Sequence, residues 1–186
     1  MTISTSRNNP LHVVWIEDPA LAPLWAGRLG LTIAPGKTGT LHGRSHDRDL
    51  SADFARLTAE RVNTVVNMME QGEEARWQMG GYDEAAQRAG LKLRRFPVVD
   101  VSVPTDPAAF AELVEQVYAE LQAGKTVVAH CLGGLGRSGT LVACLLVRSG
   151  EFAADAATAF VRLKRPGAVQ GQQPQFVQQY AQILNR

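Results

Sequence analysis

The chain has 186 residues, the size of one domain able to bury about 70% of its unfolded surface. Hydrophobic residues make up 45% and charged residues 20%, the balance of an ordinary soluble globular protein. Nineteen lysines and arginines against 18 acids leave a net charge of +1, which excludes the basic balance of a nucleic-acid-binding domain and a polybasic membrane anchor. No apolar run approaches the ~20 residues needed to span a bilayer, and the first residues lack the apolar centre of a secretory signal. Residues 1–10 are polar and read as a loose tail. Residues 11–16 read as a strand ending at Glu17-Asp18-Pro19, and residues 31–33 as a second, with Pro35-Gly36 as a turn. Over residues 49–60, Leu50, Phe54 and Leu57 recur at helical spacing. Residues 62–68 form a β-branched strand. Residues 82–89 read as a helix stopped by Gly90, followed by an extended stretch over 91–99. Pro107 opens a helix with Phe110, Leu113, Val114, Val117 and Leu121 on one face, closed by Gly124. A buried strand over 125–129 and a buried helix over 141–147 come next. Helices over 151–163 and 174–184 complete the chain, and the alanine-rich run 153–157 suits a helix packed closely on its neighbour. Strands alternating with helices and then helices alone predict an α/β single domain, with a central mixed or parallel sheet covered by helices and a helical C-terminal part.

Between the strand at 125–129 and the helix at 141–147 lies His130-Cys131-Leu132-Gly133-Gly134-Leu135-Gly136-Arg137-Ser138-Gly139-Thr140. A glycine-rich loop that leaves a strand and opens a helix turns successive backbone N–H groups inward. The helix dipole adds partial positive charge there. Such a cradle binds a tetrahedral oxyanion, and this one has a thiol at its base. Thiolates are favoured at helix N-termini and beside cations, and Arg137 can fork two donors onto phosphate oxygens. These residue types at this spacing suit nucleophilic attack on a phosphate ester, with Cys131 as nucleophile, Arg137 on the phosphate, and residues Leu132, Gly133, Gly134, Leu135 and Gly136 forming the phosphate cradle. Ser138 is placed to donate to the thiolate, or is a plain first-turn residue. His130, ending a buried strand, is read as holding the loop in shape by hydrogen bonding.

The leaving group of such a reaction needs a proton, so an aspartic acid is expected near the cleft. Asp100, after Phe96-Pro97-Val98-Val99, is the favoured candidate. Asp106 is its rival, although Asp106-Pro107 also reads as a helix N-cap followed by proline at N1.

His-Cys, five residues, then Arg-Ser-Gly resembles the signature of the cysteine-dependent protein tyrosine and dual-specificity phosphatases. Leu29-Gly30-Leu31 with Ala34-Pro35-Gly36, the Phe96–Asp100 segment and Arg165-Pro166-Gly167-Ala168-Val169-Gln170 resemble the kinase-associated phosphatase (cyclin-dependent kinase inhibitor 3) branch of that superfamily. The resemblance implies a loose tail over 1–10 and a dual-specificity phosphatase-like catalytic domain over 11–186. It implies hydrolysis of phosphotyrosine or phosphoserine/threonine through a phosphocysteine, with Asp100 in the general-acid position and no cofactor or metal. It also implies that Gln170 or Gln173, with Gln172 between them, positions the hydrolytic water; the other reading is a solvated polar loop before the last helix. The expected partners are a phosphorylated protein or peptide and phosphate-like oxyanions, with no nucleic acid or membrane, for a monomer.

Two cysteines make no disulfide framework, and a free reactive thiol fits the reducing cytoplasm. Cys144, inside an apolar helix, reads as core, its pairing with Cys131 depending on geometry. Two other patterns are lookalikes. Gly134, Gly136 and Gly139 fit a dinucleotide fingerprint, but no second strand ending in an acid follows. Gly36-Lys37-Thr38 resembles a nucleotide phosphate loop, but Gly30 stands one residue too far away. The histidines lack metal-site spacing. Two other readings of Cys131 stay open: a rhodanese-like sulfurtransferase carrying a persulfide, and a phosphopeptide-binding module without turnover.

Overall fold

The computed structural model describes residues 3–18, 23–41 and 43–184. Its main sheet has five strands in the order β2-β3-β8-β6-β7, where β2 is Val14–Trp15, β3 Arg28–Thr32, β6 Thr64–Asn67, β7 Lys92–Arg95 and β8 Thr126–His130. All neighbours are parallel except β2 and β3. The expected mixed sheet covered by helices is therefore present.

Strand β8 is central and wholly buried, with Ala129 opposite Leu31 and Val66, and His130 opposite Thr32 and Asn67. Its alternation divides the protein into two cores. Val127 and Ala129 pack into a core with α4 (Pro107–Gln122), α5 (Arg137–Arg148), α6 (Ala154–Lys164) and α7 (Gln173–Leu184). Val128 faces the other way, into a core with α1 (Leu50–Ala59) and α3 (Tyr82–Arg88).

The helix ends follow their sequence signals. Asp49 accepts from Ala52 N–H and caps α1, Asp106 accepts from Ala108 and Ala109 N–H and caps α4, and Gly90 and Gly124 adopt positive φ just past α3 and α4. The expected apolar face of α4 is buried at every position named for it. Helix α5 is buried continuously from Arg137 to Val147, which fits its place between the sheet and the other C-terminal helices.

Three features depart from the sequence reading. The tail expected to be loose is instead tied down in part: β1 (Ser4–Thr5) pairs in parallel with β5 (Arg44–Asp47), and the Ser6 hydroxyl donates to Asp53 at 2.7 Å. With β4 (Thr38–Leu41), β1 and β5 make a second, three-stranded sheet that was not expected. These strands are short and polar and carry no alternation. Helix α2 (Gln71–Arg76) was also missed; the residues it buries are Glu73 and Glu74. The strand expected over 11–16 is a strand only at Val14 and Trp15, with Ile16 N–H also donating to Leu29 O at 2.9 Å, and its expected end at Pro19 lies outside the described residues.

Candidate active site

The site is built where β8 delivers the chain to α5. Gly134 has φ +63°, and a Cβ there would stand 2.2 Å from the Thr32 carbonyl oxygen, so the loop can turn only with glycine at this position. The carbonyls of the loop are held from outside. Leu132 O accepts from Ala34 N–H and Lys37 Nζ, each at 3.2 Å. Gly133 O and Gly134 O accept from the Arg165 guanidinium at 3.1 and 3.3 Å, and Leu135 O from Val169 N–H at 3.2 Å. Among the described residues, none of the amide N–H groups of residues 132–136 donates to a protein acceptor. A cradle of free donors at the first turn of α5 is the arrangement that attracts an oxyanion.

Cys131 lies at its base, buried, with Sγ 3.4 Å from the Ser138 hydroxyl. Arg137 is also buried, and its guanidinium is clamped on one side. Nη1 donates to Glu73 Oε2 at 2.6 Å and to Val98 O at 3.0 Å, and Nη2 donates to Glu73 Oε1 at 2.8 Å. Its Nε–H is buried without a protein acceptor among the described residues. The fork is thus fixed in orientation while one donor is kept free, which suits a ligand oxygen.

Asp100 Oδ1 lies 2.8 Å from Arg137 Nη2, yet the side chain is 57% exposed. Its neighbours Val99 and Val101 are exposed too, and Val101 has φ +59°, a costly conformation for a β-branched residue. The structure therefore brings Asp100 to the arginine of the cradle. It places Asp106 at the start of α4, occupied as a helix cap.

His130 is fully buried. Its Nε2 lies 2.5 Å from the Tyr82 hydroxyl and its Nδ1 3.4 Å from Cys131 O. Burial pushes the imidazole down to about 3, with Arg137 and Arg95 adding to the effect. Burial also raises the Tyr82 phenol well above its ordinary range. The neutral tautomer that donates from Nδ1 to Cys131 O and accepts the phenolic proton at Nε2 satisfies both contacts.

Gln173 is buried and spans two loops. Its Nε2 donates to Ser102 O beyond Asp100, and its Oε1 accepts from Gln170 N–H. A Cβ on Gly136 would meet this amide at 3.0 Å and Gln170 Oε1 at 3.2 Å, so both glutamines border the cradle, whereas Gln172 is exposed. Cys144 sits in the core with its thiol raised by burial, and both cysteines are free thiols. Among the described residues, no group of three His, Cys, Asp or Glu side chains is placed to hold a metal ion.

Sequence reasoning did not find Glu73, Tyr82, Lys37 and Arg165 as parts of the site. The adjacent acids Glu73-Glu74 were the available signal, since acids buried on a short helix need cationic partners. Glu74 also finds one, accepting from Arg95 at 2.6 Å.

A sheet whose central parallel strand runs through Cys131, a glycine-rich loop and Arg137 into a buried helix defines the cysteine-dependent protein tyrosine and dual-specificity phosphatase superfamily. Within it, residues 42–151 match the model of the polymorphic toxin system DSP-PTPase phosphatase family, and the chain belongs to that family. It is 37% identical over 117 residues to protein tyrosine phosphatase domain-containing protein 1 of Mus musculus, a match covering 59% of this chain and 15% of that protein. It is 26% identical over 142 residues to cyclin-dependent kinase inhibitor 3 of Homo sapiens, covering 76% of this chain and 63% of that one. The matched segments thus fall short of two thirds of either relative's length. In fold, it superposes on kinase associated phosphatase carrying a serine in place of its catalytic-site cysteine, with a TM-score of 0.81 at 23% identity, over 95% of this chain and 97% of the other.

Proposed function

We propose that this chain is a phosphoprotein phosphatase that hydrolyses phosphotyrosine or phosphoserine/threonine side chains through a phosphocysteine. The observation that carries the reading is the conjunction at one cradle of Cys131, the free loop amides and an arginine clamped by Glu73 with its Nε–H open. The Cys131 thiolate attacks phosphorus in line, and the ester P–O bond breaks. Asp100 gives its proton to the leaving oxygen, while the loop amides and Arg137 hold the equatorial oxygens. Water then attacks phosphorus, the S–P bond breaks, Asp100 takes the proton, and inorganic phosphate departs from a regenerated thiolate. Ser138, at 3.4 Å from the sulfur, donates a hydrogen bond to the thiolate as it leaves. Gln170 and Gln173, beside Gly136, are the side chains nearest to hand for orienting that water.

The test is phosphate release from an aryl phosphate under reducing conditions, for wild type, Cys131→Ser and Asp100→Asn. Cys131→Ser is expected to abolish turnover, and Asp100→Asn to lower it about 10²–10⁴-fold. A wild type without turnover would overturn the reading in favour of a binding module or a sulfur carrier.

A further inference from the structure

Lys37 is 2% exposed, and it is one of the largest fully buried side chains of the protein. A buried ammonium is costly unless an anion or several acceptors face it. Its Nζ donates to one protein oxygen, the Leu132 carbonyl of the cradle at 3.2 Å, and lies 5.9 Å from the centre of the Trp77 ring. Among the described residues it pairs with no carboxylate. Asp53, the acid held against the adjoining Gly36, is already saturated. It takes two bonds from Arg48, each at 2.8 Å, one from Gly36 N–H and one from the Ser6 hydroxyl. Three charged groups act on Lys37. Arg48 and Arg165 oppose its charge, and an ionised Cys131 favours it. His46 on β5 also faces this cluster, and burial together with Lys37 and Arg48 holds it neutral, down to about 4.

An ionised Cys131 also favours the charge on Arg137 and on Arg165. Arg137, however, has Glu73 as its own counter-charge, and Arg165 is only partly buried. Lys37 alone among the three combines full burial, no carboxylate and a bond to the residue that follows the nucleophile.

We propose that Lys37 is a positioning residue for the nucleophile: it holds the Leu132 carbonyl turned out of the cradle and supplies, from behind the loop, a positive charge that keeps Cys131 ionised. This deepens the reading of Cys131 as nucleophile and rests on it. A lysine whose amine burial has brought down to about 8 carries this charge in neutral solution and loses it as the pH rises past that point. The support for the thiolate is therefore strongest at and below neutrality, where an ordinary thiol would be protonated.

Two coupled titrations test this without requiring turnover. The first is the rate of Cys131 alkylation by iodoacetamide against pH, in wild type and Lys37→Met. The midpoint is expected about one pH unit higher in the variant, with about tenfold less reactive thiolate on its acid side. The second follows the Cε signals of ¹³C-labelled lysine in wild type and Cys131→Ser, against Lys92, Lys125 and Lys164 as internal controls. By reciprocity, the Lys37 midpoint is expected to fall in Cys131→Ser by the amount that the thiol midpoint rises in Lys37→Met.

Coincident alkylation profiles in a folded Lys37→Met, or an unmoved Lys37 titration in Cys131→Ser, would overturn the proposal. If Lys37→Met does not fold, the second titration decides alone. Coupled titrations in a protein that releases no phosphate would leave Lys37 assigned and remove the phosphatase reading. Turnover with uncoupled titrations would do the reverse.

Discussion

Replacing Glu73 by glutamine keeps the shape of the side chain and removes its charge, leaving the buried Arg137 guanidinium without its main counter-ion. The two side chains are 3% and 1% exposed, and two bonds at 2.6 and 2.8 Å join them. Glutamine can reproduce one of those bonds, but its NH₂ then meets the second guanidinium NH₂ donor to donor. Removing one partner of a buried ion pair costs about 3–5 kcal/mol. The lower end applies here, because Val98 O still accepts from Nη1 and the half-exposed Asp100 still lies beside Nη2. In a domain of this size about 3 kcal/mol corresponds to a fall in Tm of about 6–12 °C. Thermal unfolding followed by circular dichroism reads it directly. A double variant, Glu73→Met with Arg137→Met, removes both charges together and should melt above the single variant, although it lacks the arginine of the cradle. A Glu73→Gln protein that melts within about 2 °C of wild type would refute the argument that Glu73 holds the charge of the cradle.

Asp100 and an incoming oxyanion compete for Arg137 Nη2, so Asp100→Ala should bind tungstate up to about fivefold more tightly by calorimetry, the worth of an exposed ion pair. Weaker binding would show that Asp100 helps the anion rather than excluding it. His130 supplies a pH dependence whose sign follows from its depressed titration. Folded, it stays neutral down to about 3, whereas an unfolded imidazole takes up a proton near 6.5. Its contribution is therefore fully present above about pH 6.5 and is lost as the pH falls, by about 1.4 kcal/mol at pH 5.5. Urea unfolding at pH 7.5 and 5.5 should show this loss in wild type beyond that in His130→Gln, where, among the described histidines, His46 remains to add a loss of the same sign. Equal losses in the two proteins would contradict the assignment.

Where burial is apolar, the sequence shows it. The face of α4 repeats Phe110, Leu113, Val114, Val117 and Leu121 at helical spacing, and a cap and a glycine mark its ends. The residues of the candidate site were legible for another reason: Cys131, Arg137 and Ser138 lie within eight residues of one another, and Asp100 closes a recognisable extended run. What escaped was burial by charge. Helix α2 hides Glu73 and Glu74 rather than apolar side chains, so its pattern reads as a solvated loop until Arg137 and Arg95 are brought to it. Small polar strands such as Thr38–Leu41 carry no alternation to read.

The same distinction separates the contiguous motif from what holds it. Glu73 and Arg137 are 64 residues apart in sequence, and Lys37 and Leu132 are 95. No local pattern encodes either pairing. Yet the cradle can present free amides only because its carbonyls are drawn outward, and the groups that draw them, Ala34, Lys37, Arg165 and Val169, come from the turn after β3 and the segment between α6 and α7. A chain that retained residues 130–140 and lost those donors would keep Cys131 and Arg137 without the geometry around them. The oxyanion cradle is therefore a property of the scattered clamp as much as of the signature, because the free-energy advantage of a preorganised oxyanion site lies in donors that need not reorganise when charge develops.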